Sequence, residues 1–225
     1  MKKLILPVIV LSMSLVACNS GATSNDSHGH DHSHAEGHED GHEYSHETVT
    51  EVVESVYDNT STTIGFGAFK TTSKKEVKGW FKDFDVKGIT ESKNLGEIFQ
   101  NASVSINVAS LDTKNEGRNS TILTEFFNKT TSNETIVGKV VSFDTDSATA
   151  ILELTFNDAT TALTFDYVLS GDTLSMQSVL NLEDVNGLEA LASLNTACEG
   201  VHKGDDGVSK TWNDVNIYLT TILKR

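Results

Sequence analysis

Alternation of apolar and polar positions with a period of two recurs through most of the chain beyond residue 100. Ala102, Val104, Ile106 and Val108 alternate with Ser103, Ser105, Asn107 and Ala109. Thr135, Val137, Val141 and Phe143 continue the theme, as do Ala148, Ala150, Leu152, Leu154 and Phe156. Leu163, Phe165 and Tyr167 follow, then Leu174, Met176, Ser178 and Leu180. Turn-forming residues separate the later runs: Asp144 to Ser147, Asn157-Asp158 and Ser170-Gly171-Asp172. Strands this closely linked are expected to pair as antiparallel hairpins, each half buried. Two helical patterns interrupt them. Asn119 is placed to cap a short helix with the pairs Ile122/Phe126 and Leu123/Phe127 on one side. Asn186-Gly187-Leu188-Glu189 resembles a capping box, and its helix is expected to stop near Gly200. The fold class is therefore all-β with two short helices. With roughly eight or nine strands, an up-and-down barrel of about eight closes its own edges, its interior either filled by side chains or holding one small ligand.

The first residues follow another pattern. MKKLILPVIVLSMSLVAC pairs Lys2 and Lys3 with an apolar run from Leu4 to Leu15, too short to span a bilayer and suited to a secretory signal. Leu15-Val16-Ala17-Cys18 resembles the lipobox of bacterial lipoproteins. That resemblance implies a signal peptide 1–17, cleavage before Cys18, and acylation of Cys18 by lipid; the alternative is a secreted protein with an incidental cysteine. Residues 18–47 lack Lys and Arg and have one aromatic, Tyr44, so they read as a disordered tether. All ten Phe and both Trp lie further on, which makes 48–225 one domain with one core.

Charge narrows the partners. The formal net charge is −15, which excludes a nucleic-acid partner, because phosphate neutralisation needs clustered Lys and Arg. Residues 70–93 hold seven lysines, whereas 140–201 hold none, so the lysine-rich stretch faces either an anionic head group or solvent. With Cys18 taken by lipid, Cys198 stands alone and no disulfide or Cys-based zinc site can form. Cys198 reads as a buried inert thiol. With His202 and Asp205 it makes a weak metal constellation, and Asp205-Asp206-Gly207 reads as a turn. No G-x-S-x-G, Gly-rich phosphate loop or H-E-x-x-H occurs, so the chain reads as a non-enzyme.

Seven of the eight histidines fall in residues 28–46. His28, His30, His32 and His34 are two apart and share one side of an extended chain. His34, His38, His42 and His46 are four apart and would stack on one helix face, against which Gly37 and Gly41 argue. Neutral imidazoles beside carboxylates suit Zn, Ni or Cu, bound with little selectivity. No cofactor is otherwise required. The alternatives are a metal-handling segment and a soluble spacer.

A family resemblance enters with the motifs of the domain. Gly79-Trp80-Phe81-Lys82-Asp83-Phe84-Asp85, then Ser105 to Thr113 ending Ser110-Leu111-Asp112-Thr113, then Arg118-Asn119 and Glu125-Phe126-Phe127 resemble, in order, motifs of the YceI-like family. The resemblance runs from about Tyr57 to the C-terminus. Two family histidines correspond here to Lys70 and Thr121. The resemblance implies a lipocalin-like antiparallel barrel whose lumen takes an apolar, isoprenoid-type ligand, and no catalytic residues. The expected lumen residues are Phe66, Val104, Ile106, Val108, Val137, Val141, Leu152, Leu154, Phe165 and Met176, each equally explained by core packing. For a ligand's polar head the candidates are Lys70, Trp80 and Arg118; Arg118 is equally placed to pair with Asp112 or Glu116. The expected setting is the cell envelope, at the outer membrane on its periplasmic or surface face. Whether two barrels pair as a homodimer stays open. A second reading makes the barrel a scaffold and the histidine tether a metal buffer.

Overall fold

The computed structural model describes residues 56–131 and 133–224. The signal peptide, Cys18 and the seven tether histidines (His28 to His46) lie outside the described residues.

The chain forms β1 (Val56–Tyr57), β2 (Thr63–Lys70), β3 (Lys75–Phe81), β4 (Phe84–Lys87), α1 (Leu95–Phe99), β5 (Ser103–Asn107), β6 (Leu111–Asp112) and α2 (Glu116–Glu125). It continues through β7 (Thr135–Asp144), β8 (Thr149–Phe156), β9 (Ala159–Ser170), β10 (Thr173–Asn181), α3 (Leu188–Ala197), α4 (Glu199–His202) and β11 (Thr211–Lys224). The fold is mostly β, as the alternation predicts. All strands belong to one antiparallel sheet of order β4-β5-β7-β8-β9-β10-β11-β2-β3-β6, with β1 beside β11.

This sheet curls strongly, and its two terminal strands continue strands already in it. β3 leads into β4 across Lys82-Asp83, and β5 leads into β6 across Val108 to Ser110. Phe81 pairs with Leu111 on one side of the break, and Phe84 with Ile106 on the other. Across the break, Lys82 N–H donates to Ser110 O (3.2 Å) and Asn107 N–H to Asp83 O (3.0 Å). The two interrupted strands therefore run side by side as a seam. Counted as one run each, they leave eight runs around a common interior. The hairpin turns are the expected ones: Asn157 and Asp158 both take positive φ (52° and 57°), and Gly171 (φ 58°) turns β9 into β10. Such turns match the twist of the strands they join.

The strand registers define two ends. Lys70, Phe156, Asn181 and Thr211 lie at one, which α2 and α3 cover. Thr63, Asp144, Thr173 and Leu223 lie at the other, beside α1 and β1. Inward side chains divide accordingly into two aromatic clusters. At the α2–α3 end, Phe81 meets Phe127 (6.4 Å between centroids), and Phe127 meets Phe126 (5.2 Å) and Phe156 (5.9 Å). At the α1 end, Phe99 stacks on Phe143 (5.6 Å), which in turn meets Tyr167 (4.8 Å). Offset and edge-on ring pairs of this kind each contribute about 0.5–1.5 kcal/mol beyond area burial.

Two helix starts differ from expectation. Asn115, not Asn119, caps α2: its Oδ1 accepts from Arg118 N–H (2.8 Å). Asn119 sits one turn inside, where its Oδ1 takes the Thr113 N–H (2.8 Å) and hydroxyl (2.6 Å). Before α3, Asn186 has φ 54° and ends the preceding 3-10 turn, leaving Gly187 at the cap with no side-chain bond. Asn157 instead fixes the turn that precedes the helix, donating from Nδ2 to Val185 O (3.1 Å) and Asn186 O (2.9 Å). α3 ends at Ala197, and a separate turn of helix, α4, carries the chain past Gly200.

Candidate functional site

Inward residues do not fill the interior. A cavity of about 150 Å³ lies beneath α2 and α3. β2 contributes Ile64, Phe66 and Ala68, β11 contributes Val215 and Ile217, and the helices close it with Ile122, Phe126, Leu191 and Leu194. A smaller void of about 50 Å³ lies towards α1, against Phe99, Val140, Phe143 and Leu219. Ile64 borders both voids and stands between them. Apart from Thr211, whose hydroxyl is hydrogen-bonded, and the indole N–H of Trp212, which donates to Thr71 O (2.8 Å), the side chains around the larger cavity are hydrocarbon or glycine. A void so lined holds no water well, because water needs two to four polar partners. It suits an apolar group.

The expected lumen residues divide four ways. Phe66, Ile106 and Leu154 border the larger cavity, and Val104, Leu152 and Met176 the smaller. Val108 and Phe165 are buried in the core away from both. Val137 and Val141 point outwards and are 41% and 53% exposed, which corrects their placement in the lumen. The cause is a bulge between Val140 and Ser142 in β7. It reverses the parity of the strand, so Ile136, Gly138, Val140 and Phe143 share the inner face although they do not alternate strictly.

Of the head-group candidates, Trp80 is also corrected. It lies on the outer face, packed over Gly65, where a Cβ would stand 2.9 Å from Trp80 Cδ1. Arg118 donates from Nη1 to Thr113 O (3.4 Å) and pairs with neither Asp112 nor Glu116. Asp112 instead holds Lys82 (2.8 Å) and Lys114 (3.1 Å). Lys70 does not line the cavity either; it is the register partner of Thr211, which does, and its Nζ donates to Val201 O (2.9 Å).

Around Thr211 the polar groups are mutually engaged. Thr211 Oγ1 donates to Asn195 Oδ1 (2.9 Å) and lies 2.7 Å from His202 Nδ1. Burial, helped by the charge on Lys70, holds the His202 imidazole below its ordinary pKa, so it is neutral at pH 7. Burial likewise pushes the Cys198 thiol up, with Glu125 adding to the rise and Lys70 opposing it. Among the described residues no three His, Cys, Asp or Glu side chains gather closely enough to hold a metal ion, so Cys198, His202 and Asp205 do not form the metal constellation their spacing suggests. Asp205 to Gly207 form a turn, with Asp206 Oδ1 accepting from Val208 N–H (3.0 Å).

The helical wall of the cavity is what reading the strands alone misses. Phe126 and Phe127 show in the four-residue spacing of α2, but nothing in that spacing says that the helix seals the barrel's end. Leu188, Leu191 and Leu194 share the helical spacing that runs on to Cys198, but nothing in that spacing places them over the cavity, and nothing local marks Trp212 as bordering it.

A family model described as YceI-like domain matches residues 56–221. No curated protein gives a match. Among solved structures, BcnA of Burkholderia cenocepacia superposes with a TM-score of 0.51 at 15% identity, covering 76% of this chain and 100% of its own. A polyisoprenoid binding domain from Saccharophagus degradans, implicated in plant cell wall breakdown, superposes at 0.50 with 14% identity, covering 76% and 97%. At such identities the likeness is one of fold.

Proposed function

The chain belongs to the YceI-like domain family, and from that premise we propose that its barrel is a non-catalytic carrier for an apolar, isoprenoid-type lipid held beneath α2 and α3. One observation carries the reading: the cavity of about 150 Å³ beneath the helices is walled almost wholly by hydrocarbon side chains. A dry void of that size forgoes dispersion contacts that an apolar guest would restore. The Saccharophagus degradans domain, described as polyisoprenoid binding, supports the choice of ligand class. Native mass spectrometry of the full chain, purified without detergent, tests it. A lipid adduct whose extract contains isoprenoid-type chains is expected; apo protein that also fails to take up 1-decanol overturns the proposal.

The N-terminal residues support a setting for that carrier. We propose a cell-envelope protein anchored through acylated Cys18. Replacing Cys18→Ser then moves the protein from the membrane fraction to the soluble one and abolishes fatty-acid labelling; retention of both overturns the anchor.

Residues 28–46 favour a second, independent activity, because seven imidazoles in one short segment are a ready ligand set for Zn, Ni or Cu. Deleting residues 25–47 separates it from lipid carriage. Raised sensitivity of cells to zinc with unchanged lipid copurification supports metal buffering, whereas unchanged sensitivity removes it.

A further inference from the structure

The barrel wall is incomplete beside α1. β1 pairs with β11 alone and β4 with β5 alone. The last rung between β2 and β3 is Ile64–Phe81, and beyond it β4 carries on the line of β3. On the other bank the ladder of β2 with β11 ends at Thr63–Thr220, a 3-10 turn at Asn59–Ser61 intervenes, and β1 takes up β11 again at Tyr57–Leu223. The edges left facing each other are those of β1 and β4, and among the described residues no rung joins them. The smaller void lies behind this gap. Tyr57 and Thr62 line it from one bank and Val86 from the other, with Phe99 of α1 beside them.

Polar bonds hold each bank to itself. The Tyr57 hydroxyl donates to Asn59 Oδ1 (3.1 Å) and accepts from Thr62 Oγ1 (2.9 Å), which also meets the fully buried Thr221 on β11 (2.7 Å). On the far bank Thr90 N–H donates to Ile98 O (3.1 Å), fastening the chain after β4 to α1. Among the described residues no hydrogen bond or ion pair joins 56–62 to 84–101; the contact across is apolar, the Tyr57 ring edge-on to Phe99 at 6.0 Å. The helix-covered end differs. There Ser193 donates to Glu125 (2.9 Å), tying α3 to α2, and Thr211 donates to Asn195 (2.9 Å), tying β11 to α3. Two rings can part and re-form around a hydrocarbon chain, whereas parting the helices strips polar groups of their partners.

We infer that the apolar chain enters and leaves sideways, through the wall between β1 and β4, with Tyr57 as the shutter. From the smaller void it reaches the larger cavity past Ile64, which borders both. The inference rests on the lipid-carrier reading and adds the route to it. It also puts the entrance beside β1, the strand at which the N-terminal segment joins the barrel.

The test is stopped-flow uptake and release of N-phenyl-1-naphthylamine, an apolar dye that brightens out of water, by the full chain. A residue on a passage changes association and dissociation together and leaves their ratio, whereas a binding contact changes chiefly dissociation. Tyr57→Ala is expected to raise both rates about tenfold, and Val86→Trp, a wedge in the opposite bank, to lower both by a similar factor. Ser193→Ala, which unties α3 from α2, leaves both rates at the wild-type values. Rates unchanged in Val86→Trp, or raised as much by Ser193→Ala as by Tyr57→Ala, overturn the passage while the apolar site stands. So does a change confined to dissociation. Wild-type protein that takes up neither the dye nor 1-decanol overturns the lipid-carrier reading itself.

Discussion

Gly79 faces Phe66 across β2 and β3 so closely that a Cβ at Gly79 would stand 2.5 Å from Phe66 Cζ and 2.6 Å from Cε1. The missing methyl lets the ring lie against the barrel wall instead of across the cavity it borders. Gly79→Ala forces the ring to move, and the empty volume is where it can go. Overpacking a core costs about 1–3 kcal/mol, and relief into the void keeps this variant near the lower figure. The greater effect falls on binding: decanol affinity drops several-fold, measured by calorimetry beside a thermal melt of the same sample.

Ile64 borders both voids. Ile64→Ala joins them into one longer channel at a stability cost of about 2–5 kcal/mol. In the wild type, affinity along a series of straight-chain alcohols rises by about 0.8 kcal/mol per methylene and then levels off once the larger void is full. The variant shifts that plateau to longer chains. An unchanged plateau means that Ile64 does not limit tail length.

Among the carboxylates held below their ordinary range, Asp58 and Asp112 are shifted furthest and contribute to the response to acid. Hydrogen bonding from Lys224 and Thr60 lowers the Asp58 pKa to about 2. Lys82, then the N–H and ammonium of Lys114, hold Asp112 far below the usual carboxylate range. A folded pKa below the unfolded one, about 3.9 for Asp, contributes stability that is complete above the unfolded value and lost as pH falls through the folded one. The melting temperature is therefore level between about pH 5 and 7 as far as these groups go, and falls from about pH 4 downwards. Asp58→Asn and Asp112→Asn each flatten the acid limb, which a series of melts at stepped pH reads directly.

Cys198 is half-buried with a raised pKa, so little of it is thiolate at pH 7. Alkylation by iodoacetamide proceeds about tenfold or more slower in the native protein than in urea. A native rate equal to that of the unfolded chain contradicts the burial.

The strands were legible because their chemistry is local. Leu152 and Leu154 face inwards as their alternation predicts, and the turns at Asn157-Asp158 and Gly171 follow from residue types that accept positive φ. Val137 and Val141 misled because a bulge is a property of a strand pair, not of one sequence run. Asn119 misled because Asn115, four residues earlier, has the same capping chemistry, and only the Thr113 contacts decide between them. The cavity itself was not legible. An apolar inward residue reads the same whether a neighbour or empty space lies opposite, and that is fixed by all the strands and both covering helices together.

The seam between the β3–β4 and β5–β6 runs is where the barrel is expected to yield most readily, because its ladder is interrupted there. Its ladder is interrupted where Phe81 ends β3, and Phe81 and Ile106 both wall the larger cavity. A guest larger than the resting void would then be accommodated by local stretching there, with the continuous pairing of β8, β9 and β10 kept. Amide exchange at Lys82 and Asn107 outpaces that of the β8–β9 ladder, and slows when the barrel is loaded.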